Sequence, residues 1–282
     1  MKKNQEWDKV IISNPNNNFI SIKEIWEYRE LVTTLVQKNF IASYKQTILG
    51  PLWAFISPFV TSVLFTIIFG KIAQLSTDGI PEFLYYFSSI IFWNYFSHCL
   101  TTIANTFVTN RHLMKKVYFP RFIMPLTSIC TNLISVGIQS ILLIGFYLFY
   151  YFTGANIYLQ LSLLLLPIYF LQLILLSTGI GCIFASITTK YRDLGMVIGF
   201  IIQLWMYATP ITYSSSIVPS NLYFLYHLNP ITPTLEWITY SLFGTGNPSI
   251  PFFIYSIIIS VIIFIIGIHF FQKSERTFID TI

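Results

Sequence analysis

Charged residues are scarce in this sequence. They make up 10% of the 282 residues, against ~25% in an ordinary soluble domain, whereas 55% of the residues are hydrophobic. The few charges cluster in the first fifty residues and in short segments, which leaves stretches of twenty or more residues with none. A water-soluble core does not need so much apolar material, so these stretches are expected to lie in lipid.

Cysteine is also scarce. Cys99, Cys130 and Cys182 lie in apolar runs, with no close pair and no histidine at metal-ligand spacing. This pattern supports neither a disulfide framework nor a zinc site. We therefore expect three small core side chains, no metal and no cofactor held by this chain.

Catalytic and nucleotide-binding motifs are missing from the sequence. It has no G-x-x-x-x-G-K-[ST] segment, and no Ser/His/Asp or paired-carboxylate set. The apolar runs are almost free of ionisable groups, apart from His98 and His269, which disfavours ion-coupled transport. The net charge of +5 is scattered over connecting segments, so it does not indicate nucleic-acid binding.

The apolar runs predict an all-α, polytopic membrane protein with six transmembrane helices, because each run is about the length of a bilayer crossing. The predicted spans are 51–70, 83–104, 122–152, 158–188, 194–213 and 250–271. On this layout all Lys and Arg residues except Lys71 fall on one side. Basic connections stay in the cytoplasm, so both termini are expected there, with 1–50 as an N-terminal segment and 272–282 as a tail.

The N-terminal segment has the periodicity of an amphipathic helix lying along the membrane surface. Apolar residues recur every three or four positions at Ile22, Ile25, Trp26, Val32, Val36, Phe40 and Tyr44. A helix that anchors the chain without binding a partner fits the same pattern.

The 214–249 segment is apolar and aromatic, but prolines and glycines interrupt it. It is too broken for a span and too apolar for a free loop, which favours one or two short re-entrant helices. A folded cap on the outer face is the alternative.

Two basic connections could receive a cytosolic partner. In Thr106–Arg121 the basic residues alternate with apolar and aromatic ones, which suits a short amphipathic helix, and 190–193 could extend the same surface. A segment that only sets the orientation of the chain in the membrane needs the charges but not the aromatic residues. The interpretation as a simple orientation signal nevertheless stays open.

Aromatic residues are abundant, with 27 Phe, 18 Tyr and 6 Trp. Two clusters lie inside predicted spans: Phe92, Trp93, Tyr95 and Phe96 in the second, Trp205 and Tyr207 in the fifth. Aromatic faces can stack on sugar rings, so these residues are candidates for lining a passage for a glycan. Lipid-facing or belt positions are the simpler interpretation. The spacing Gly195-x-x-x-Gly199 also indicates a close helix contact.

Several collinear blocks resemble the permease subunits of type-2 ABC exporters for O-antigen, capsular and teichoic-acid polysaccharides. The resemblance covers nearly the whole chain from about Trp26 onward. The blocks are SYKQTILGPLW (43–53), STDGIPEFLYY (76–86), WNYF (93–96), NTFVTNRHLMKKVYFPR (105–121), KYRDL (190–194) and LNPITP (228–233).

The resemblance implies a homodimer that works with two copies of a separate ATPase, which binds ATP and magnesium. It implies export of a lipid-linked glycan across the bacterial inner membrane, with a gate in 214–249. The residues implied to couple to the ATPase are Arg111, His112, Lys115, Lys116, Tyr118, Arg121, Lys190, Arg192 and Asp193. A permease for a drug or free lipid, or a membrane-embedded enzyme of lipid-linked sugar metabolism, remains an alternative.

Overall fold

The computed structural model describes residues 22–45, 47–116, 119–189, 191 and 193–280, without the side chains of residues 22, 24, 115 and 275–280. Every regular element in this part of the chain is helical. The prediction of an all-α fold is confirmed.

The chain begins with two helices that are separated at Tyr28, α1 (Ile22–Glu27) and α2 (Arg29–Tyr44). Leu35 and Val36 are the buried residues of α2, and they face the core near α7. Trp26, which belongs to the predicted apolar stripe, is 69% exposed. The helix therefore docks on the bundle through its middle.

Six longer helical segments make up most of the bundle. The first combines a 3₁₀ turn (Gly50–Leu52), α3 (Trp53–Phe65) and a π-helix (Thr66–Ile72). The others are α4 (Glu82–Ala104), α7 (Ile123–Phe152), a 3₁₀ turn (Leu161–Leu165) that continues as α8 (Leu166–Thr188), α9 (Leu194–Tyr207) and α12 (Ile250–Asp280). Short helices α5 (Thr106–Thr109) and α6 (Arg111–Lys116) connect α4 to α7.

Four of these segments are long and apolar enough to cross a membrane: Gly50–Ile72, Ile123–Phe152, Leu161–Thr188 and Ile250–Ser274. The helix α4 has 23 residues, a length of ~34 Å, but it is more polar. With 14 residues, α9 is only ~21 Å long. It ends at Tyr207 and not at 213, because Pro210 disfavours helical backbone at Thr209.

The helix α4 is the centre of the bundle. Sixteen of its residues are buried on all sides of the helix, and it packs against α3, α7, α8, α9 and α11. In its second half, Asn94 and Ser97 are half-buried and His98 is exposed, so these polar side chains lie on a side of the helix that its neighbours leave partly open.

The two ends of the bundle differ in charge. One end, called the basic end here, holds α2, α5, α6 and the described residues 189, 191 and 193 between α8 and α9, with Lys38, Arg111, Lys116 and Arg121. The opposite end holds the connections 73–81, 153–160 and 208–249. Of the Lys and Arg side chains that the structure describes, Lys71 is the one at this end. Its Nζ lies 3.2 Å from Glu82 Oε2.

Candidate functional site

The 208–249 segment lies at the opposite end of the bundle and forms short helices. A 3₁₀ turn (Ser215–Ile217) is followed by α10 (Tyr223–His227) and α11 (Ile231–Phe243). The latter ends at Gly244, whose φ of 74° is readily adopted by glycine. The prediction of short helices here is confirmed, whereas their depth in a membrane stays a prediction.

Asn229 joins α9 to the start of α11. Its Oδ1 accepts a hydrogen bond from Trp205 Nε1 at 3.0 Å and one from the Ile231 backbone N–H at 3.3 Å. Its Nδ2 donates to the Ala208 carbonyl at 3.1 Å. One side chain thus connects the end of a bundle helix with the cap of α11.

Gln172 joins α8 to the same segment from the other side. This amide is 1% exposed. Its Oε1 accepts from Thr234 Oγ1 at 2.7 Å, and its Nε2 lies 2.8 Å from Ser256 Oγ and 2.9 Å from Ser260 Oγ. A buried amide needs such partners, so this cluster fixes α11 between α8 and α12.

Tyr85, near the start of α4, holds the segment that follows α9. Its hydroxyl lies 3.1 Å from the Pro210 carbonyl and 2.8 Å from the Tyr213 carbonyl. Nearby, Asp78 accepts hydrogen bonds from Ser214 and from Ser216, the latter at 2.6 Å. The 73–81 connection and the 208–249 segment are therefore tied together.

A buried ion pair connects α10 with α11. His227 is fully buried, its Nδ1 lies 2.8 Å from the Tyr223 carbonyl, and its Nε2 lies 3.0 Å from Glu236 Oε2. A carbonyl oxygen only accepts, so Nδ1 carries a proton, and a second proton is held between Nε2 and Glu236. The pair fixes the angle between two helices too short to be stable alone.

The space enclosed at this end is small. The cavity between Asp78, Tyr85, Glu236 and Asn247 has a volume of about 30 Å³. That holds one or two waters but no sugar ring. In this conformation the cavity therefore offers no passage for a glycan.

At the basic end, the predicted coupling residues occupy different environments. His112, Lys116 and Asp193 are exposed and Arg111 is half-buried. Arg121 is only 8% exposed, and its Nη1 donates to the Met114 carbonyl at 2.9 Å. It therefore fastens the end of α6 to the start of α7. The side chains of Lys115, Tyr118, Lys190 and Arg192 lie outside the described residues.

The two basic connections are close to each other. Thr188 Oγ1 donates to the Ala104 carbonyl at 2.7 Å, which brings the ends of α4 and α8 together. An added Cβ at Gly195 would lie 3.0 Å from Asn105 Oδ1, whereas one at Gly199 would meet nothing within 4 Å. The predicted close contact exists at Gly195 and involves α4.

The predicted aromatic residues divide into two groups. Phe92, Trp93, Tyr95 and Phe96 are at most 5% exposed and belong to the core of the chain. Trp205 packs edge-on against Phe96 at 5.3 Å, and Tyr207 is 46% exposed. Their role as the lining of a passage stays a prediction, and in this conformation only Tyr207 presents a largely open ring.

Residues 30–243, three quarters of the chain, match the family described as ABC-2 type transporter. The chain belongs to the ABC-2 type transporter family. The match begins in α2 and ends with α11, so both the basic end and the 208–249 segment lie within it.

Individual relatives extend over most of this ABC-2 transporter chain. An O-antigen export system permease protein RfbA from Klebsiella pneumoniae is 24% identical over 255 residues, which cover 89% of this chain and 94% of that protein. A second RfbA from the same species is 25% identical over 252 residues. RfbA from Myxococcus xanthus is 26% identical over 199 residues, covering 70% and 73% of the two chains. Membership implies a membrane-embedded transporter that works with an ATPase.

The residues that fix the 208–249 segment are only weakly marked in the sequence. Gln172 and Asn229 are polar residues in apolar surroundings, and Tyr85 stands among other aromatics. Polarity within an apolar run marks a residue that needs a partner, but the partners lie in other elements, 58 or more positions from Gln172 and up to 24 positions from Asn229. Only the fold identifies them.

Proposed function

We propose that this chain is the channel-forming subunit of an ATP-driven exporter that moves a lipid-linked polysaccharide of O-antigen type across the bacterial inner membrane. The observation that carries the proposal is the likeness to two Klebsiella O-antigen export permeases over 89% of this chain and 94% of theirs. The chain itself acts as a permease and not as an enzyme.

The working unit proposed here is a homodimer with two copies of an ATPase subunit. The cavity described at the opposite end of one chain has a volume of about 30 Å³, so a passage for a glycan through it requires a second copy or a different conformation. The basic end faces the cytoplasm in this proposal, because basic connections remain on that side.

Force from the ATPase would enter at the connection between α4 and α7. Arg121 fastens α6 to α7 through the Met114 carbonyl, so displacement of α6 is passed to a 30-residue helix. That helix packs on α4, whose other end holds Pro210 and Tyr213 through Tyr85. A continuous set of contacts thus joins the basic end to the 208–249 segment.

ATP shifts such a system only if the ATPase binds one conformation of the permease better than the other. Opening then requires the joints at Asn229, Gln172 and Tyr85 to rearrange. The aromatic residues Phe92, Trp93, Tyr95, Phe96, Trp205 and Tyr207 are proposed to line the passage when it opens, offering sugar rings flat apolar surfaces.

Deletion of the gene in its own host tests the function. Surface polysaccharide should disappear, and lipid-linked glycan should accumulate on the inner side of the membrane until a plasmid copy restores export. An unchanged amount of surface polysaccharide, measured by electrophoresis and glycan staining, would contradict the proposal.

Removal of residues 115–121 tests the coupling surface. The ATPase should no longer co-purify with the permease, whereas replacement of residues 245–249 at the opposite end by a Gly/Ser linker should leave co-purification unchanged. Retained ATPase binding after the 115–121 deletion would refute this assignment.

A further inference from the structure

Each ring nitrogen of His227 faces an oxygen that accepts hydrogen bonds. Nδ1 lies 2.8 Å from the Tyr223 carbonyl oxygen, and Nε2 lies 3.1 Å and 3.0 Å from the two carboxylate oxygens of Glu236. A neutral imidazole has one N–H group and one lone pair, whereas an imidazolium has two N–H groups. The contact is therefore complete only when a second proton lies between Nε2 and Glu236.

Loss of that second proton leaves two acceptors facing each other. If Nδ1 keeps its hydrogen, the lone pair of Nε2 points at the Glu236 carboxylate. If Nε2 keeps the hydrogen, the lone pair of Nδ1 points at the Tyr223 carbonyl. The side chain of His227 is fully buried and that of Glu236 is 9% exposed, so water is poorly placed to separate them. Deprotonation consequently turns an attractive contact into a repulsive one.

The surroundings of His227 favour the charged ring. The ring centre of Tyr223 lies 4.0 Å away and that of Phe252, on α12, lies 4.7 Å away, and aromatic rings attract cations. Asp78 lines the same small cavity as Glu236 and adds a second carboxylate beside the pair. The phenols around the pair come from α10, α4 and the turn after α9: Tyr223, Tyr226, Tyr85 and Tyr213. Burial raises the pKa of Tyr223 and Tyr226 above 10, so neither changes charge near neutral pH.

The direction of the pH response follows from the proton affinity of the pair. Burial alone lowers the pKa of His227, but the hydrogen bond and the negative charge of Glu236, together with the Tyr223 carbonyl, raise that pKa above its ordinary value of 6.5. The packed arrangement thus binds the proton more strongly than a solvated histidine does. It has its full stability below about pH 6.5 and loses stability as the pH rises through the raised pKa.

His227 also holds α10 in place. It is the buried residue of this five-residue helix, whereas Phe224 and Leu225 are each 65% exposed. A helix of this length is not stable without packing. Loss of the contact between His227 and Glu236 therefore releases α10 from α11, close to the point where Asn229 anchors the same segment to α9.

We propose that His227 and Glu236 form a pH-dependent latch, which holds α10 against α11 while the pair keeps its second proton and releases α10 as the pH rises above neutral. The latch itself rests on the contacts of these two residues. Only its consequence, that a rise in the pH outside the cell eases opening of the 208–249 segment for export, rests on the proposed function.

Nitrogen NMR of the full chain in nanodiscs tests the protonation of the latch directly. The chain has four histidines, so labelling histidine with ¹⁵N gives few ring signals, and His227→Gln identifies those of His227. Both ring nitrogens of His227 should stay protonated to a higher pH than those of the exposed His112. Glu236→Gln should abolish this difference. The matched control Glu82→Gln, which removes a carboxylate paired with Lys71, should preserve it.

Hydrogen exchange of the amides in 223–243 tests whether the latch holds α10. The ratio of exchange rates between His227→Gln and the parent, taken at one pH, removes the chemical effect of pH on exchange. The variant should exchange about tenfold faster than the parent at about pH 6, as expected for one charge-assisted hydrogen bond, and at nearly the same rate at about pH 8.5. His112→Gln, at the basic end, should exchange like the parent at both values.

Two results would overturn the latch. Loss of the proton from His227 at the same pH as from His112 would show that Glu236 holds no second proton. A rate ratio that stays constant between the two pH values would show packing without a switch. Both measurements use the purified chain without glycan or ATPase, so they decide the latch whether or not the proposed function holds.

The consequence for export is measured separately in cells. Polysaccharide export by the parent should rise with external pH, and export by His227→Gln should not. An equal response of the two strains would refute the link between the latch and gating, whereas absence of export from both would count against the proposed function.

Discussion

At the scale of single residues, a glycine pair allows two bundle helices to approach closely. A Cβ placed on Gly179 of α8 would lie 2.7 Å from Phe264 Cα of α12, and Gly267 faces the Gly179 carbonyl. Small residues permit this approach, and α8 and α12 have the most extensive contact of any two described helices. No periodicity links positions so far apart in the chain, so the sequence could not reveal the pair.

We expect Gly179→Ala to destabilise the permease by about 1–3 kcal/mol, because α8 and α12 must separate to accept the methyl group. Thermal unfolding in detergent measures this. The control is Gly145→Ala on α7, where an added Cβ meets nothing within 4 Å and where alanine is the better helix former. Equal melting temperatures for the two variants would show that the approach is looser than described.

Gln172 is a polar residue in an apolar run. The sequence therefore indicates that it needs a hydrogen-bond partner but does not identify that partner. Replacing it with leucine should cost about 1–2 kcal/mol, since Thr234, Ser256 and Ser260 lose a buried partner. The matched change Gln203→Leu, on the exposed face of α9, should leave the melting temperature unchanged. A variant Gln172→Leu as stable as the parent would mean that the cluster repacks without its amide.

At the scale of helices, the sequence predicts well where each helix lies along the chain. The apolar runs are long, and charge, proline or glycine marks their ends. The predicted starts at 83, 194 and 250 lie within one residue of the observed helices. The failure at 194–213 has a local cause, since a proline stops the helix although the apolar composition continues. The end of α12 at Asp280 lies beyond 271 because no Gly or Pro interrupts the polar tail.

Asn229 supplies a test of how α9 holds the 208–249 segment. In Asn229→Leu, Trp205 Nε1 and the Ile231 N–H lose their acceptor, so the α9 end and the α11 cap should open more often. Hydrogen exchange of amides in 208–231 should accelerate about tenfold or more, as expected for ~1.5 kcal/mol of lost protection. Asn247→Leu, at an exposed position of the same segment, is the control.

Unaltered exchange in Asn229→Leu would assign the anchoring of the segment to Tyr85 and Gln172 alone. The distinction matters for gating, since Asn229 connects to α9 whereas the other two residues connect to α4 and α8. An acceleration restricted to 208–231 identifies α9 as the helix whose movement releases α11.

At the scale of the whole molecule, the sequence predicts the distribution of charge but not the packing of the aromatic residues. Hydropathy places Phe92, Trp93, Tyr95 and Phe96 in a span, yet it does not tell whether they face lipid, a passage or a neighbouring helix. Contacts with α7, α8 and α9 bury them in the core. That outcome depends on α4 being central, which follows from tertiary contacts and not from its own periodicity.

The charge difference between the two ends predicts which sites a membrane-impermeant maleimide can reach. Asn247→Cys should react in intact spheroplasts, whereas Lys45→Cys, Tyr191→Cys and Lys273→Cys should react only after permeabilisation, because basic connections remain in the cytoplasm. All four positions are exposed. Native Cys99 and Cys182 are fully buried, so a Cys130→Ala background suffices.

The pattern of labelling also decides the role of α9, which with 14 residues is shorter than a typical crossing. If Tyr191→Cys is internal and Asn247→Cys external, the chain crosses the bilayer between them, and α9 with the turn after it must complete the path. Labelling of both from outside would leave α9 on one surface and reduce the crossings before α12 from five to at most three. Six crossings therefore require that Tyr191→Cys and Asn247→Cys differ, with Lys45→Cys and Lys273→Cys behaving like Tyr191→Cys.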